Sequence, residues 1–268
     1  MSATGGALEA AQRVRTRRTR AGFLPPLLTA VAVLVLWEVA VRALGIRPII
    51  LPPPSAIAAT VAQDLPRLLS ATWVTGRSAL LGFALGCGGG FLAGVAASRW
   101  RPLREAAVPV GIVLGSIPIV ATAPIFNLWF GALSIWSKVA VVALVVFFPT
   151  LLSTITGLAS ASASSAELLR SYAAPRRMVL TKLQIPASLP FVFGALRVAA
   201  ALSVIAAVVA EFFGGFRDSA GFFIKTLMAN ADYTGAWATV VALCAFGLLL
   251  YGAVGVAERV VIPGQERT

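Results

Sequence analysis

The sequence predicts an all-α, polytopic membrane protein with six transmembrane helices. Its residues are 59% hydrophobic and only 12% charged, roughly half the charge fraction of an ordinary soluble chain. Apolar runs recur from Leu24 to Ala257, and the longer ones match the ~20 residues that cross a hydrocarbon core as a helix. The roughly ten-residue alternating segments of an outer-membrane barrel do not occur.

Taken in order, the spans run Leu24–Leu44, Val74–Ala97, Ala106–Phe130, Lys138–Leu158, Leu189–Phe213 and Ala236–Ala257. The first follows a basic tail but is too long for a secretory signal and lacks a clear cleavage site, so it reads as a retained span. Between the first two spans, RPIILPPPSAI forces an extended entry through consecutive prolines. Ser55 is then placed to cap a short helix reaching Asp64 at the outer interface. The second span carries small residues four apart, at Ser78, Gly82, Gly86, Gly90, Gly94 and Ser98. Such a face lets another helix approach closely in lipid, within this chain or on a second copy.

The third span is broken. Pro109, Pro118 and Pro124 each remove a backbone donor, and Ser116, Thr122 and Asn127 add polar groups beside them. Irregular backbone at membrane depth needs protein or a water-filled cavity to satisfy it, so this span is either a kinked packing helix or a wall of a translocation path. Glu211, in VVAEFFGG at the end of the fifth span, is a further path candidate. A carboxylate there faces the bundle interior or water. It fits a solute contact, a gate, or a structural pair with Arg77, the last being favoured. Glu38, Arg42 and Lys138 lie near span ends, where snorkelling accounts for them.

The net charge is +12, and its distribution fixes an orientation rather than a nucleic-acid surface. Arg13, Arg15, Arg17, Arg18 and Arg20 fill the tail. With that tail inside, the inner gaps add Arg99, Arg101, Arg104, Arg170, Arg176, Arg177, Lys182, Arg259 and Arg267, fourteen in all. The outer gaps hold only Arg47, Arg67, Arg217 and Lys225. Both termini are therefore expected in the cytoplasm. The expected organisation is a cytoplasmic tail over 1–22, a six-helix domain over 23–262 with a cytoplasmic loop over 159–188, and a cytoplasmic tail over 263–268.

Several functions are excluded. Histidine is absent, which removes the commonest general base and metal ligand and leaves no nucleophile–base set. Cys87 and Cys244 sit singly in apolar runs and read as small buried residues, so no metal site is expected. No GxxxxGK[ST] precedes any lysine, so the chain does not bind a nucleotide through a phosphate loop.

The 159–188 loop is the one polar-leaning segment between apolar spans. Its helical pattern runs from Ser165 through Tyr172, then bends at Ala173–Ala174 because Pro175 suits only a first turn. A second short helix carries Arg176, Arg177 and Lys182 and is closed by Pro186. Leu168, Leu169, Tyr172, Met178, Val179 and Leu183 give the pair more apolar surface than a solvated loop needs. It either docks in a partner's groove or folds back on the bundle's own ends.

These residues resemble the EAA loop in the membrane subunits of bacterial ATP-binding-cassette importers, whose pattern is Glu-Ala-Ala, three residues, Gly, nine residues, Ile, one residue, Leu-Pro. Here Glu167-Leu168-Leu169 is followed by RSY, Ala173, nine residues, Leu183, Gln184 and Ile185-Pro186. Ala173 stands where the family has a glycine, a residue that permits a φ > 0 turn alanine resists. ILPPPSAI, SIPIVATAPIFNLWFG and LPFVFGALRVAAALSVIAAVVAEFFGG extend the resemblance to the nitrate/sulfonate/taurine branch. RSYAAPRR and AVVAEFFGG are most similar to its pyrimidine-precursor and flavin members. The branch's Gly-Leu-Gly-Tyr reads Ser219-Ala220-Gly221-Phe222 here, so no substrate role is carried to it.

The resemblance implies a type I importer permease in the inner membrane. It implies a second permease copy, expected as a homodimer, a cytoplasmic ATPase dimer and an extracytoplasmic solute-binding protein. ATP and Mg would be used by the ATPases and no cofactor held by this chain. Glu167, Leu168, Leu169, Tyr172, Ala173, Ala174, Pro175, Arg176, Arg177 and Pro186 would make the ATPase contact. A secondary transporter or channel working alone is the alternative, and an intramembrane enzyme is a weaker one.

Overall fold

The computed structural model describes residues 24–262; the expected tails, with Arg13, Arg15, Arg17, Arg18, Arg20 and Arg267, lie outside the described residues. The described chain is helical throughout. Its helices are α1 (Leu24–Ala43), α2 (Pro54–Gln63), α3 (Leu65–Ala97), α4 (Arg101–Gly115), α5 (Ile119–Phe130) and α6 (Ile135–Ala159). They continue as α7 (Ala163–Ser171), α8 (Arg176–Phe213), α9 (Ala220–Ala229) and α10 (Tyr233–Val261). Among the described residues α1, α3, α6, α8 and α10 are each long and apolar enough to cross a membrane, and α4 with α5 makes a sixth crossing as a pair bent by 89°.

Helix α6 is the axis of the bundle, and Val139, Val142, Val146, Thr150, Thr154 and Leu158 along it are all buried. The small-residue face of α3 lies directly on it. Gly82 meets Val142, Gly86 meets Ala143 and Val146, Gly90 meets the backbone at Phe147 and Leu151, and Gly94 meets Thr154. The neighbour left open by the sequence is thus a helix of the same chain. Polar side chains on α6 keep their own company: Thr150 Oγ1 donates to the Val146 carbonyl at 2.8 Å and Thr154 Oγ1 to the Thr150 carbonyl at 2.7 Å. Hydroxyls satisfied within their own helix cost little in a medium without water.

Helix α8 also packs on α6, where Gly157 lets Ser188 and Phe191 approach. Helix α1 is peripheral. Leu27, Val33, Val35 and Leu36 are each more than half exposed, and only Val41 on that helix is buried. Such a surface belongs against lipid. Two contacts fasten α1: Trp37 meets the Trp237 ring edge-on at 5.6 Å, and Glu38 receives three donors. Arg42 Nε reaches it at 2.5 Å, Ser55 Oγ at 2.8 Å and the Ser55 amide at 3.0 Å.

Several expectations change here. Ser55 does not cap α2; Pro53 holds the N-cap position, and the Ser55 hydroxyl serves the Glu38–Arg42 pair instead. That pair is an inter-helix clasp rather than two snorkelling side chains. The second span begins at Leu65, nine residues earlier than Val74, because α2 and α3 are nearly continuous across Asp64. In the third span only Pro118 breaks the helix. Pro109 and Pro124 stay inside α4 and α5. Cys87 is buried as expected, but Cys244 is exposed on the outer surface of α10.

Pro186 does not close a separate helix either. Residues Leu180–Gln184 form a π turn that leads without interruption into Ile185–Phe213, giving one helix of 38 residues from Arg176. The Ile185 amide bonds back to the Leu180 carbonyl, five residues away. The wider turn shifts the hydrogen-bond register where the Pro186 ring would crowd an α-helical carbonyl.

Candidate functional site

The loop of the sequence reading is built as two helical arms around a tight turn. Ser162 caps α7, its hydroxyl accepting the Ser165 amide at 3.3 Å. At the other end Ala173 adopts φ +52°, in the left-handed region. The Ala173 amide donates to the Arg170 carbonyl at 2.9 Å and the Ala174 amide to the Leu169 carbonyl at 3.0 Å. That pair of bonds is a Schellman closure, normally made with glycine at this position. Pro175 is then extended, at φ −64° and ψ 150°, and starts α8. Alanine therefore makes the same turn the glycine would make, at the cost of strain, and Pro175 only supplies the exit.

One expectation follows. Ala173→Gly should stabilise the turn by about 1 kcal/mol, because relief of left-handed strain outweighs glycine's larger chain entropy. Slower hydrogen exchange at the Ala173 and Ala174 amides would register it, and unchanged or faster exchange would contradict it.

The arms leave their apolar side chains uncovered. No residue of α7 is buried, and Leu168, Tyr172 and Met178 are 58%, 77% and 45% exposed. Leu169, Val179 and Leu183 are half-buried against the bundle end. The loop thus splits the two readings by residue: one apolar set folds back, the other faces outward. Glu167 is exposed beside the outward set and has no hydrogen bond or ion pair among the described residues. Arg176, Arg177 and Pro186 are exposed as well, and Ala174 is half-buried.

The four path candidates do not form one surface. Ser116 is exposed at the α4–α5 break, its hydroxyl donating to the Val113 carbonyl at 2.7 Å. Thr122 is buried and bonded to the Ile119 carbonyl at 2.9 Å. Asn127 and Glu211 do converge, at the end of the bundle opposite the loop, and a residue given no such role joins them. Lys138 is 1% exposed. Its Nζ donates to the Ala132 carbonyl, to Ser137 Oγ at 3.0 Å and to Asn127 Oδ1 at 3.4 Å. Snorkelling does not describe it. Its place in the first turn of α6 gave no sequence signal for this enclosure.

Glu211, also 1% exposed, does not pair with Arg77. Its Oε2 accepts Thr75 Oγ1 at 2.7 Å and the Gly221 amide at 3.0 Å. Thr75 Oγ1 in turn accepts the Ala220 amide at 2.9 Å. Thr75 and Arg77 are two residues apart on α3, so they point to nearly opposite sides of the helix. Arg77 is exposed. The carboxylate thereby ties α3 and α8 to the first turn of α9. Apart from Asn127 Nδ2, which is buried without a partner among the described residues, the polar groups of this cluster are spent on one another and on backbone, so here they brace a hairpin rather than line an open route.

Residues 86–262 match the family model described as "Binding-protein-dependent transport system inner membrane component". It is 33% identical over 246 residues to the formylaminopyrimidine transport permease protein ThiX of Halalkalibacterium halodurans, covering 91% of this chain and 97% of that one. It is 33% identical over 237 residues to the riboflavin transport system permease protein RibX of Chloroflexus aurantiacus, covering 88% of each. Among solved structures, an amino acid ABC transporter with histidines superposes with a TM-score of 0.59 at 14% identity, covering 75% of this chain and 97% of that one. That likeness bears on the fold alone: it is the ABC transporter permease fold.

Proposed function

The chain belongs to the family of binding-protein-dependent transport system inner membrane components, and on that premise we propose that its 159–188 loop seats a cytoplasmic ATPase and that its cargo is a small nitrogen heterocycle. As a member it is a multi-pass, non-catalytic permease subunit of a binding-protein-dependent ABC importer, which sets aside the stand-alone transporter or channel. ATPase and solute-binding partners follow from the family in general terms.

The observation that carries the proposed docking is the outward set of Leu168, Tyr172 and Met178, exposed beside Glu167, which has no partner among the described residues. An amphipathic helix with an uncovered apolar face and a charge at its edge fits a groove on a partner. The arginine bias puts this end of the bundle, and both termini, in the cytoplasm. ATP and Mg are used by the ATPases, and a second permease copy completes the pathway as a homodimer. Because α8 runs unbroken from the turn at Arg176 to Phe213, a force on the loop reaches the far end of the bundle through one rigid element. ATP-driven closure of two ATPases moves that helix and alternates access. Glu167, Leu168, Leu169, Tyr172 and the Ala173–Arg177 turn make the contact, and Pro186 sits where the π turn transmits it.

The cargo reading rests on the two relatives whose names specify formylaminopyrimidine and riboflavin. Both molecules contain a pyrimidine ring. A thiamine-precursor pyrimidine or a flavin-like compound is favoured over a sulfonate, taurine or nitrate. Ser116, Thr122, Asn127 and Glu211 mark the path only as its frame: Ser116 faces the open break, and Asn127 and Glu211 brace the opposite mouth.

Glu167→Lys tests the docking. The variant is expected to insert and fold normally, yet retain less than a tenth of the coupled ATP hydrolysis when reconstituted with its ATPase. That corresponds to the roughly 1.4 kcal/mol a tenfold loss requires. Unchanged assembly and hydrolysis would remove Glu167 from the contact.

A further inference from the structure

Beside the turn lies a cavity of about 330 Å³, lined by Ser98, Arg99, Arg170, Ala174, Arg176 and Gln184 together with Val179 and Leu180. Three guanidiniums line it and, among the described residues, no carboxylate does. None of the three arginines makes an ion pair with a described residue. Arginine forks match the geometry of phosphate oxygens, and a basic pocket between helices at the cytoplasmic surface is a seat for an anionic headgroup.

The depth of the cavity favours lipid as the source of that phosphate. Ser98 and Arg99 directly follow the membrane-crossing helix α3, and Trp100, next in sequence, is 63% exposed. An exposed tryptophan flanked by arginines at a span end marks the headgroup level of a bilayer. Val179 and Leu180 supply an apolar wall beside the guanidiniums. A free inorganic anion has no use for that wall, whereas the first acyl methylenes of a lipid do.

We propose that the Arg99–Arg170–Arg176 pocket binds the phosphate of an anionic phospholipid and thereby fastens the turn of the loop to the end of α3. The inference rests on the cytoplasmic placement of this end but not on ATPase docking. A bound headgroup would hold Arg170 and Arg176, on either side of the turn, against Arg99 on a different helix. Coupling would then depend on the anionic lipid content of the membrane.

The test measures lipid retained by the purified full chain in native mass spectrometry. Phosphatidylglycerol and phosphatidylcholine are titrated separately, with inorganic phosphate as a third arm. Phosphatidylglycerol is expected to be retained over phosphatidylcholine, and the double variant Arg99→Gln/Arg170→Gln is expected to weaken that retention about 30-fold, some five-fold per guanidinium. Arg104→Gln lies outside the cavity and should change retention little, which separates a pocket from general surface charge. Circular dichroism of the double variant should match the parent, since both arginines are exposed.

Equal retention of the two lipids, or retention indifferent to the double variant, would overturn the proposal. Binding of inorganic phosphate without phosphatidylglycerol would overturn it in favour of a free anion. Arginine-dependent loss of ATPase binding with unaltered lipid retention would assign the pocket to a carboxylate of the ATPase instead. Failure of Glu167→Lys to disturb hydrolysis would leave this inference standing.

Discussion

Gly86→Leu is expected to prevent the bundle from assembling. A β-carbon added at Gly86 would land on the Ala143 carbonyl and on Val146, both on the central helix, and neither is the free end of a flexible side chain. Overpacking a tight contact costs about 1–3 kcal/mol where neighbours can shift. Here the first added carbon already meets backbone, and leucine brings three more. A loss of about 3 kcal/mol or more follows, a large fraction of a typical domain's margin. Gly88 is the internal control. It lies on the same helix with nothing within 4 Å of its added β-carbon, and the same replacement there should leave folding intact. Fluorescence-detected size-exclusion profiles in detergent would distinguish them. A monodisperse Gly86→Leu protein with normal thermal stability would contradict the account of the small-residue face.

The second large effect concerns the buried charges opposite the loop. Lys138→Met removes the cation held by the Ala132 carbonyl, Ser137 Oγ and Asn127 Oδ1 and leaves those acceptors, in a buried site, without their donor. A buried acceptor left unsatisfied costs about 1–3 kcal/mol, and Lys138 serves three of them, so a loss of about 3 kcal/mol or more is expected. Adding the second change, as Lys138→Met/Glu211→Gln, should cost little more. Glutamine retains an acceptor for Thr75 and the Gly221 amide, and no lone charge remains. The readout is thermal stability of single and double variants, taken as a cycle. A Lys138→Met protein as stable as the parent would contradict the bracing role of Lys138.

The helical spans were legible because lipid imposes one rule throughout: a crossing segment must be long, apolar and helical. The face of Gly82, Gly86, Gly90 and Gly94 was legible for a related reason, since absent side chains leave close approach as their only use. Which helix approached was not, because a stripe of glycines carries no mark of its partner. The loop around Ala173 was readable from spacing and from Pro175. The continuity of α8 through Pro186 was not, because a π turn that absorbs a proline has no separate sequence signature.

The buried cluster was least visible. Charge alone points to Arg77 as the partner of Glu211, but helical geometry gives Thr75 that side of α3 and leaves Arg77 exposed. Lys138 looked like a span-end residue, and only tertiary placement of the turn at Ala132 over it shows that it is enclosed. Polar residues in contact across elements carry little periodicity, so they are found by geometry.

The central claim is that this permease couples to an ATPase through the outward face of the 159–188 loop. It is tested most directly by reconstituting the chain with its ATPase and binding protein in nanodiscs and measuring ATP hydrolysis with and without loaded binding protein. The parent complex is expected to hydrolyse ATP faster with loaded binding protein. The variant Leu168→Ser/Tyr172→Ser/Met178→Ser, whose changes lie on exposed positions, is expected to insert normally and lose both the ATPase and the stimulation. A variant that binds the ATPase and responds to loaded binding protein like the parent would contradict the claim.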